Sequence, residues 1–291
     1  MSGRGRLRVG EAAATAPSFL WLAVFFVVPT LLVFAVALRP ADPYGGIGAG
    51  WTLQSLRALG NPNYPAIIWR TVWVSVAATV ICVLLAVPTA YAMARAPERW
   101  RRTILLLVVI PFWTSFLVRV FAWKTLLHPD GPVKALFVAL GLVAPEATLL
   151  YNVGAVLLVT VHTELPFAIL PIYAAAEKFD QRLLEAARDL GAGSWYAFRR
   201  VFLPGISRGI QNAVLMVLIP ALGSYIVPDI VGGPSGEMIG STIAQRVFVD
   251  RNLPHAAGLA ALLTLAVLLP LAGMLWLQAR RGRPLRMEEL P

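Results

Sequence analysis

Six stretches of mostly apolar residues run through this chain of 291 residues, at about 17–38, 67–93, 103–127, 149–173, 210–231 and 256–278. Each is long enough to cross a bilayer as a helix, which takes roughly 20 residues. In hydrocarbon the backbone must satisfy its own hydrogen bonds, and a helix does so within one segment. The chain is therefore expected to be an all-α membrane protein with six transmembrane helices. Its composition agrees: 58% of the residues are hydrophobic and 14% charged, which excludes an ordinary soluble globule and a disordered chain. Pro29, Pro88, Pro111, Pro166, Pro220 and Pro270 fall inside the runs, so kinked helices are expected. The first run follows Arg4, Arg6 and Arg8 and contains Ala35-Val36-Ala37, features shared with a secretory signal peptide. It is longer than the roughly 7–15 residue core of such peptides and reads as a retained span.

The net charge of +10 could on its own suggest nucleic acid. Its distribution points elsewhere. The N-terminal tail (1–16), the 94–102 loop, the 174–209 loop and the C-terminal tail (279–291) would share one side, and they hold 17 of the 25 Lys and Arg with 8 acids. That side carries +9 and the rest of the chain +1. Basic residues collect on the cytoplasmic side of membrane proteins, so both termini are placed inside, with lipid rather than nucleic acid as the neighbour. Trp51, Trp69, Trp100, Trp123 and Tyr151 lie near span ends, as interfacial aromatics do. The single cysteine, Cys82, excludes an internal disulfide framework and a Cys-rich metal site. His128, His162 and His255 form no metal-spaced cluster with carboxylates, and no G-x-x-x-x-G-K-[ST] loop is present. No metal or cofactor is expected on this chain, and it should not itself hydrolyse ATP. Between spans, residues 53–59, 132–143 and 238–249 look like short amphipathic helices. They could lie in the interface or seat an external partner, or simply pack as loops.

The loop after the fourth span, 177–208, is long for a connection in a compact bundle, which hints at a function. Gln181–Leu190 reads as a short amphipathic helix. Leu183, Leu184, Ala187 and Leu190 make its apolar face, and Arg182, Glu185, Arg188 and Asp189 its polar cover. Gly191 should end it in the left-handed conformation, and Pro204 should stop a second helical stretch before the fifth span. A short helix with small residues at Ala186 and Ala187 is suited to another protein's groove.

Glu185-Ala186-Ala187, three residues, Gly191, nine residues, then Val201-Phe202-Leu203-Pro204 resembles the EAA loop of ABC importer permeases, with Val201 in place of the usual Ile. Residues 110–123 (IPFWTSFLVRVFAW), Leu165-Pro166-Phe167, Leu170-Pro171-Ile172-Tyr173 and Pro228-Asp229-Ile230-Val231-Gly232-Gly233 resemble the spermidine/putrescine subfamily. The likeness covers nearly the whole chain, weakest before residue 17 and after residue 280. It is greatest to the first-named permease of two-permease polyamine systems. This resemblance implies the type I ABC importer permease fold in a bacterial inner membrane. It also implies a second homologous permease, a cytoplasmic ABC ATPase dimer that uses ATP and Mg²⁺, and an extracytoplasmic substrate-binding protein. The 177–208 loop would be the coupling segment, with Glu185, Ala186, Ala187, Asp189, Gly191, Leu203 and Pro204 as its functional residues.

Charges within spans are read as functional by default. Glu164 in the fourth span and Asp229 at the end of the fifth would suit a cation's path, with Phe112, Trp113 and Tyr225 offering aromatic faces. Arg119 of the third span could pair with Glu164 as a structural ion pair, and Asp229 could cap a helix or sit in water. Glu164 departs from the polyamine pattern, where an apolar or neutral residue is expected. Other small solutes, such as opines, aminophosphonates, other organic cations or iron, are the alternative cargo. Two readings from other classes compete with this one: an autonomous channel, and a rhomboid-like serine protease suggested by Gly233-Pro234-Ser235-Gly236 and His255. The protease would need the Ser and His within hydrogen-bond reach.

Overall fold

A computed structural model describes residues 15–281. The helices are α1 (Thr15–Ala37), α2 (Gln54–Ala58), α3 (Tyr64–Arg95), α4 (Glu98–Trp113), α5 (Phe116–Leu126) and α6 (Pro132–Ala139). They continue with α7 (Val153–Glu177), α8 (Arg182–Asp189), α9 (Ser194–Gly205), α10 (Ser207–Gly223), α11 (Ile239–Phe248) and α12 (Leu253–Arg281). Four helices are long and apolar enough to span a membrane, namely α1, α3, α7 and the Leu253–Pro270 part of α12. The bent pairs α4–α5 and α9–α10 raise the number to six if each pair is one span.

The chain divides into two compact units. The smaller holds the chain through Tyr64 and from Ile243 onward. In it the second half of α1 and the short α2 both pack on α12. The Tyr64 hydroxyl and His255 Nε2 are 2.7 Å apart, and the Asn252 side chain caps the start of α12 by accepting from the His255 amide at 3.1 Å. The first half of α1 exposes Phe19, Trp21, Phe25 and Phe26, an apolar exterior suited to lipid tails or another helix.

The larger unit, Pro65–Thr242, carries two apolar clusters. One joins the end of α3 to α7, α8, α9 and α10 through Met93, Ile172, Leu184, Phe202 and Val217. The other joins the start of α3 to α5 and α7 through Val74, Val120 and Val159. Small residues set the helix spacing, as is usual where lipid offers no hydrophobic drive. Ala168, Ala176, Ala213 and Ala221 are all buried. At Gly209 α10 approaches α7 closely: a Cβ there would lie 2.5 Å from the Ala175 Cβ and 2.8 Å from the Pro171 carbonyl oxygen.

The helices differ from the expected spans where the chain breaks. The run at 103–127 is two helices meeting at 93°. Thr114 and Ser115 are extended between them, and the Thr114 hydroxyl donates to the Pro111 carbonyl at 2.7 Å. The run at 210–231 is not one helix either. α10 ends at Gly223, Ser224 is extended, and Pro228–Gly232 forms a separate π-helical turn. The helical stretch expected to stop at Pro204 ends one residue later, at Gly205, and the 68° bend before α10 falls at Ile206. Pro88, Pro166, Pro171, Pro220 and Pro270 all lie inside helices.

Gly209→Val would force α10 away from α7. Overpacking of this kind costs about 1–3 kcal/mol. A lower thermal unfolding temperature of the purified protein in detergent is the expected result, with Gly223→Val, where open space surrounds the position, as a milder control.

Candidate functional site

Two groups of residues carry the chemistry, and both lie in the larger unit. The first is the 177–208 segment. The Asp180 carboxylate accepts the Arg182 amide at 3.0 Å and opens α8. The far end is closed by two reciprocal bonds, Ala192 N–H to the Ala187 carbonyl at 3.0 Å and Gly191 N–H to the Arg188 carbonyl at 2.8 Å. Gly191 has φ +87°. This is a Schellman cap, which places a left-handed residue four positions after the last fully bonded turn residue. The spacing from Ala187 to Gly191 is thus a spacing that the backbone closure itself demands.

The face assignment of α8 needs correction. Leu184 is buried and Ala187 half-buried, but Leu183 and Leu190 are exposed, Leu190 by 89%. Glu185, Ala186 and Asp189 are exposed as well. The helix therefore grips the bundle by one narrow stripe and presents both acids and leucines outward. Ala187, Leu190, Gly191, Ala192, Gly193 and Tyr196 border an open hollow of about 550 Å³. Trp195, 71% exposed, adds to this apolar surface. An exposed apolar patch with a polar rim is what a docking site offers.

What holds the segment was only partly visible in the sequence. Leu203 is half-buried and Pro204 exposed, whereas Phe202 between Val201 and Leu203 is fully buried. Its ring meets Tyr91 at 4.8 Å, Phe179 at 5.3 Å and Phe198 at 5.4 Å. Glu177 accepts from Arg101 at 3.0 Å and from the Tyr173 hydroxyl at 2.9 Å, tying the end of α7 to the start of α4. The sequence signal for Phe202 was its place inside the motif at a position the motif leaves open.

The second group sits where α4, α5 and α7 meet. Phe112 meets Phe167 edge-on at 5.0 Å, and Trp123 meets His162 at 5.3 Å. The Arg119 guanidinium lies over Phe112 at 5.1 Å and Phe116 at 5.9 Å. The ion pair considered between Arg119 and Glu164 does not form: Arg119 Nε and Glu164 Oε2 are each buried without a hydrogen-bond partner. Trp113, 80% exposed, Tyr225, 44% exposed, and Asp229, also exposed, stand outside these ring contacts. Asp229 lies in the first turn of Pro228–Gly232, with no side-chain cap bond there. The protease reading finds no support: Ser235 Oγ donates to the Tyr151 carbonyl at 3.2 Å, and His255 is engaged with Tyr64.

Over residues 83–283 the sequence matches the family described as binding-protein-dependent transport system inner membrane component. The chain belongs to that family. This permease is 37% identical to the spermidine/putrescine transport system permease protein PotB of Haemophilus influenzae, over 86% of its own length and 88% of the relative's. Its fold matches a chain of a bacterial ABC transporter involved in the import of the acidic polysaccharide alginate, with a TM-score of 0.71 at 17% identity, covering 96% and 99% of the two chains. The bacterial alginate ABC transporter in complex with an alginate pentasaccharide-bound periplasmic protein gives 0.66 at 16% identity, covering 91% and 92%. The permease is thus a multi-pass inner-membrane protein with the ABC importer permease fold, and its relatives are transport subunits.

Phe202→Ala would remove the ring that three other aromatic rings surround. Truncating a buried Phe costs about 3–5 kcal/mol. The expected readout is faster protease cleavage within 177–208, with the rest of the chain cut at the wild-type rate.

Proposed function

We propose that this permease, paired with a second homologous permease, forms the path by which an ABC importer takes up polyamines of the spermidine/putrescine kind. The substrate class follows the name of the 37% identical relative. It suits a path bearing the Glu164 carboxylate and several aromatic faces, since ammonium groups bind both. An extracytoplasmic binding protein delivers the substrate. The termini and the 177–208 segment face the cytoplasm, in line with the +9 charge of that side. The segment docks on an ATPase dimer that binds ATP and Mg²⁺, and this chain hydrolyses none.

The observation that carries the reading is the capped, outward-facing α8. A helix closed at both ends by its own caps is rigid, and its exposed leucines and acids offer an apolar contact with a charged rim. Its inner stripe, Leu184 and Ala187, is packed on the cluster that includes α3, α7, α9 and α10. A displacement at the outer face is therefore passed to helices that line the bundle. Closure of the ATPases biases one arrangement of the permease pair, and hydrolysis releases it. Within the segment, Glu185 and Asp189 supply polar contacts, Ala186 permits close approach, and Gly191 fixes the turn. Leu203 and Pro204 fix the exit toward α10.

In the reconstituted transporter, Glu185→Arg and Gly191→Pro should each abolish stimulation of ATP hydrolysis by the loaded binding protein, with membrane insertion intact. The Pro variant also removes the amide that bonds Arg188. Wild-type stimulation in both would refute the lever. Gly191→Ala, which keeps the amide but strains a left-handed residue by about 1–2 kcal/mol, should give partial coupling. Glu164→Gln should reduce putrescine uptake about tenfold, equivalent to ~1.4 kcal/mol, and unchanged uptake would remove Glu164 from the path.

A further inference from the structure

Oligoamine uptake accounts for Glu164 and the rings, but it leaves Arg119 unexplained. A fixed cation is a poor lining for a route used by cations. Arg119 follows Phe116 by three residues and precedes Trp123 by four, so the three share one face of α5. Its guanidinium lies over the Phe112 and Phe116 rings. On α7, Phe167 meets Phe112, and Glu164, three residues before Phe167, lies on the same face of that helix. Arg119 thus reaches the face of Glu164 through the Phe112 and Phe167 rings, yet no ion pair joins the two. Arg119 Nε and Glu164 Oε2 are buried and both lack a hydrogen-bond partner.

Both residues are half-buried, and buried polar atoms left without a partner are costly. The cost is recovered when a ligand bonds both. The pair is neutral as a whole, so a diammonium chain satisfies Glu164 with one end and leaves its other charge facing Arg119. A chain with an ammonium at one end and a carboxylate at the other answers both. The ammonium takes Glu164 and an aromatic face, and the carboxylate takes two N–H groups of the guanidinium fork. We propose that Arg119 and Glu164, framed by Phe112, Phe116 and Phe167, form a bipolar site that takes an amino carboxylate. The inference rests on the reading that this face lines the path.

The test is equilibrium binding to the assembled transporter, both permeases with the ATPase dimer, in nucleotide-free lipid nanodiscs. The probes are radiolabelled γ-aminobutyrate and putrescine, which share a four-carbon length. Wild type should bind γ-aminobutyrate. Arg119→Gln should weaken that binding about tenfold or more, the loss of a charge-assisted fork, without weakening putrescine. Arg119→Lys, which keeps the charge but not the fork, should weaken it less than Arg119→Gln does, and Glu164→Gln should weaken both probes. Copurification of the ATPase with each variant verifies assembly. No γ-aminobutyrate binding by wild type, or an equal loss of both probes in Arg119→Gln, would overturn the proposal. The second outcome would make Arg119 a packing residue or one paired by the other subunit. If γ-aminobutyrate binds with this dependence while putrescine is neither bound nor imported, the bipolar site stands and the oligoamine reading falls. Glu164-dependent putrescine uptake without γ-aminobutyrate binding gives the reverse.

Discussion

The approach of α10 to α7 at Gly209 is the contact on which the larger unit depends. Lipid is as apolar as leucine, so helices in a bilayer gain little by burying large side chains and much by bringing backbones close. With no side chain at Gly209, and with alanines at 168, 176, 213 and 221, these helices pack tightly through their inner halves. The carbonyl of Pro171, one of the atoms a larger residue would strike, belongs to the same turns that carry Ile172 and Tyr173 into the core. Spacing here sets where the chain leaves α7 at Glu177 and where it re-enters at Ser207.

The 177–208 segment inherits its geometry from those two points. Between them the chain must turn, run along the end of the bundle and return. It does so with two short helices anchored by Leu184 and Phe202. Phe202 sits among Tyr91 of α3, Phe179 just after α7 and Phe198 of its own helix, so one ring ties the segment to α3 and to the chain leaving α7. A π-helical turn at Phe198–Phe202 supplies the local change of pitch next to this anchor. The outer face of α8 is left free because its inner stripe already suffices to hold it. The lever proposed for α8 needs this division, firm on one side and unengaged on the other.

The straight spans could be read from the sequence because length and hydropathy are local properties. The breaks could not be read from proline alone. Pro88, Pro166 and Pro171 are followed by residues that continue the helix, and the helix passes through them. The chain breaks where a polar or flexible pair follows: Thr114-Ser115 after Pro111, Gly205 after Pro204, and Gly223-Ser224 after Pro220. Threonine and serine compete for backbone partners outside a helix, as Thr114 does with the Pro111 carbonyl. Gly191 was legible for the opposite reason, since a Schellman cap is encoded within six residues. The outward turn of Leu183 and Leu190 was not, because an eight-residue helix shows several faces at similar apolar content. Only its packing partners decide between them.

The relation between Arg119 and Glu164 lay furthest beyond the sequence. A pair on neighbouring spans suggests a salt bridge, because unpaired charge in hydrocarbon is expensive. Whether it closes depends on the rotation of α5 after a 93° turn, and that turn is itself a non-local outcome. In the fold, the guanidinium rests over two phenyl rings instead of bonding the carboxylate. The rings lower the cost of burying the cation, so the pair can stay open. An open pair in a transport path is a more useful arrangement than a closed one. A closed salt bridge must be broken before any substrate binds, whereas a pair steadied by aromatic faces, if it lines the path as proposed, keeps its bonding capacity for the solute.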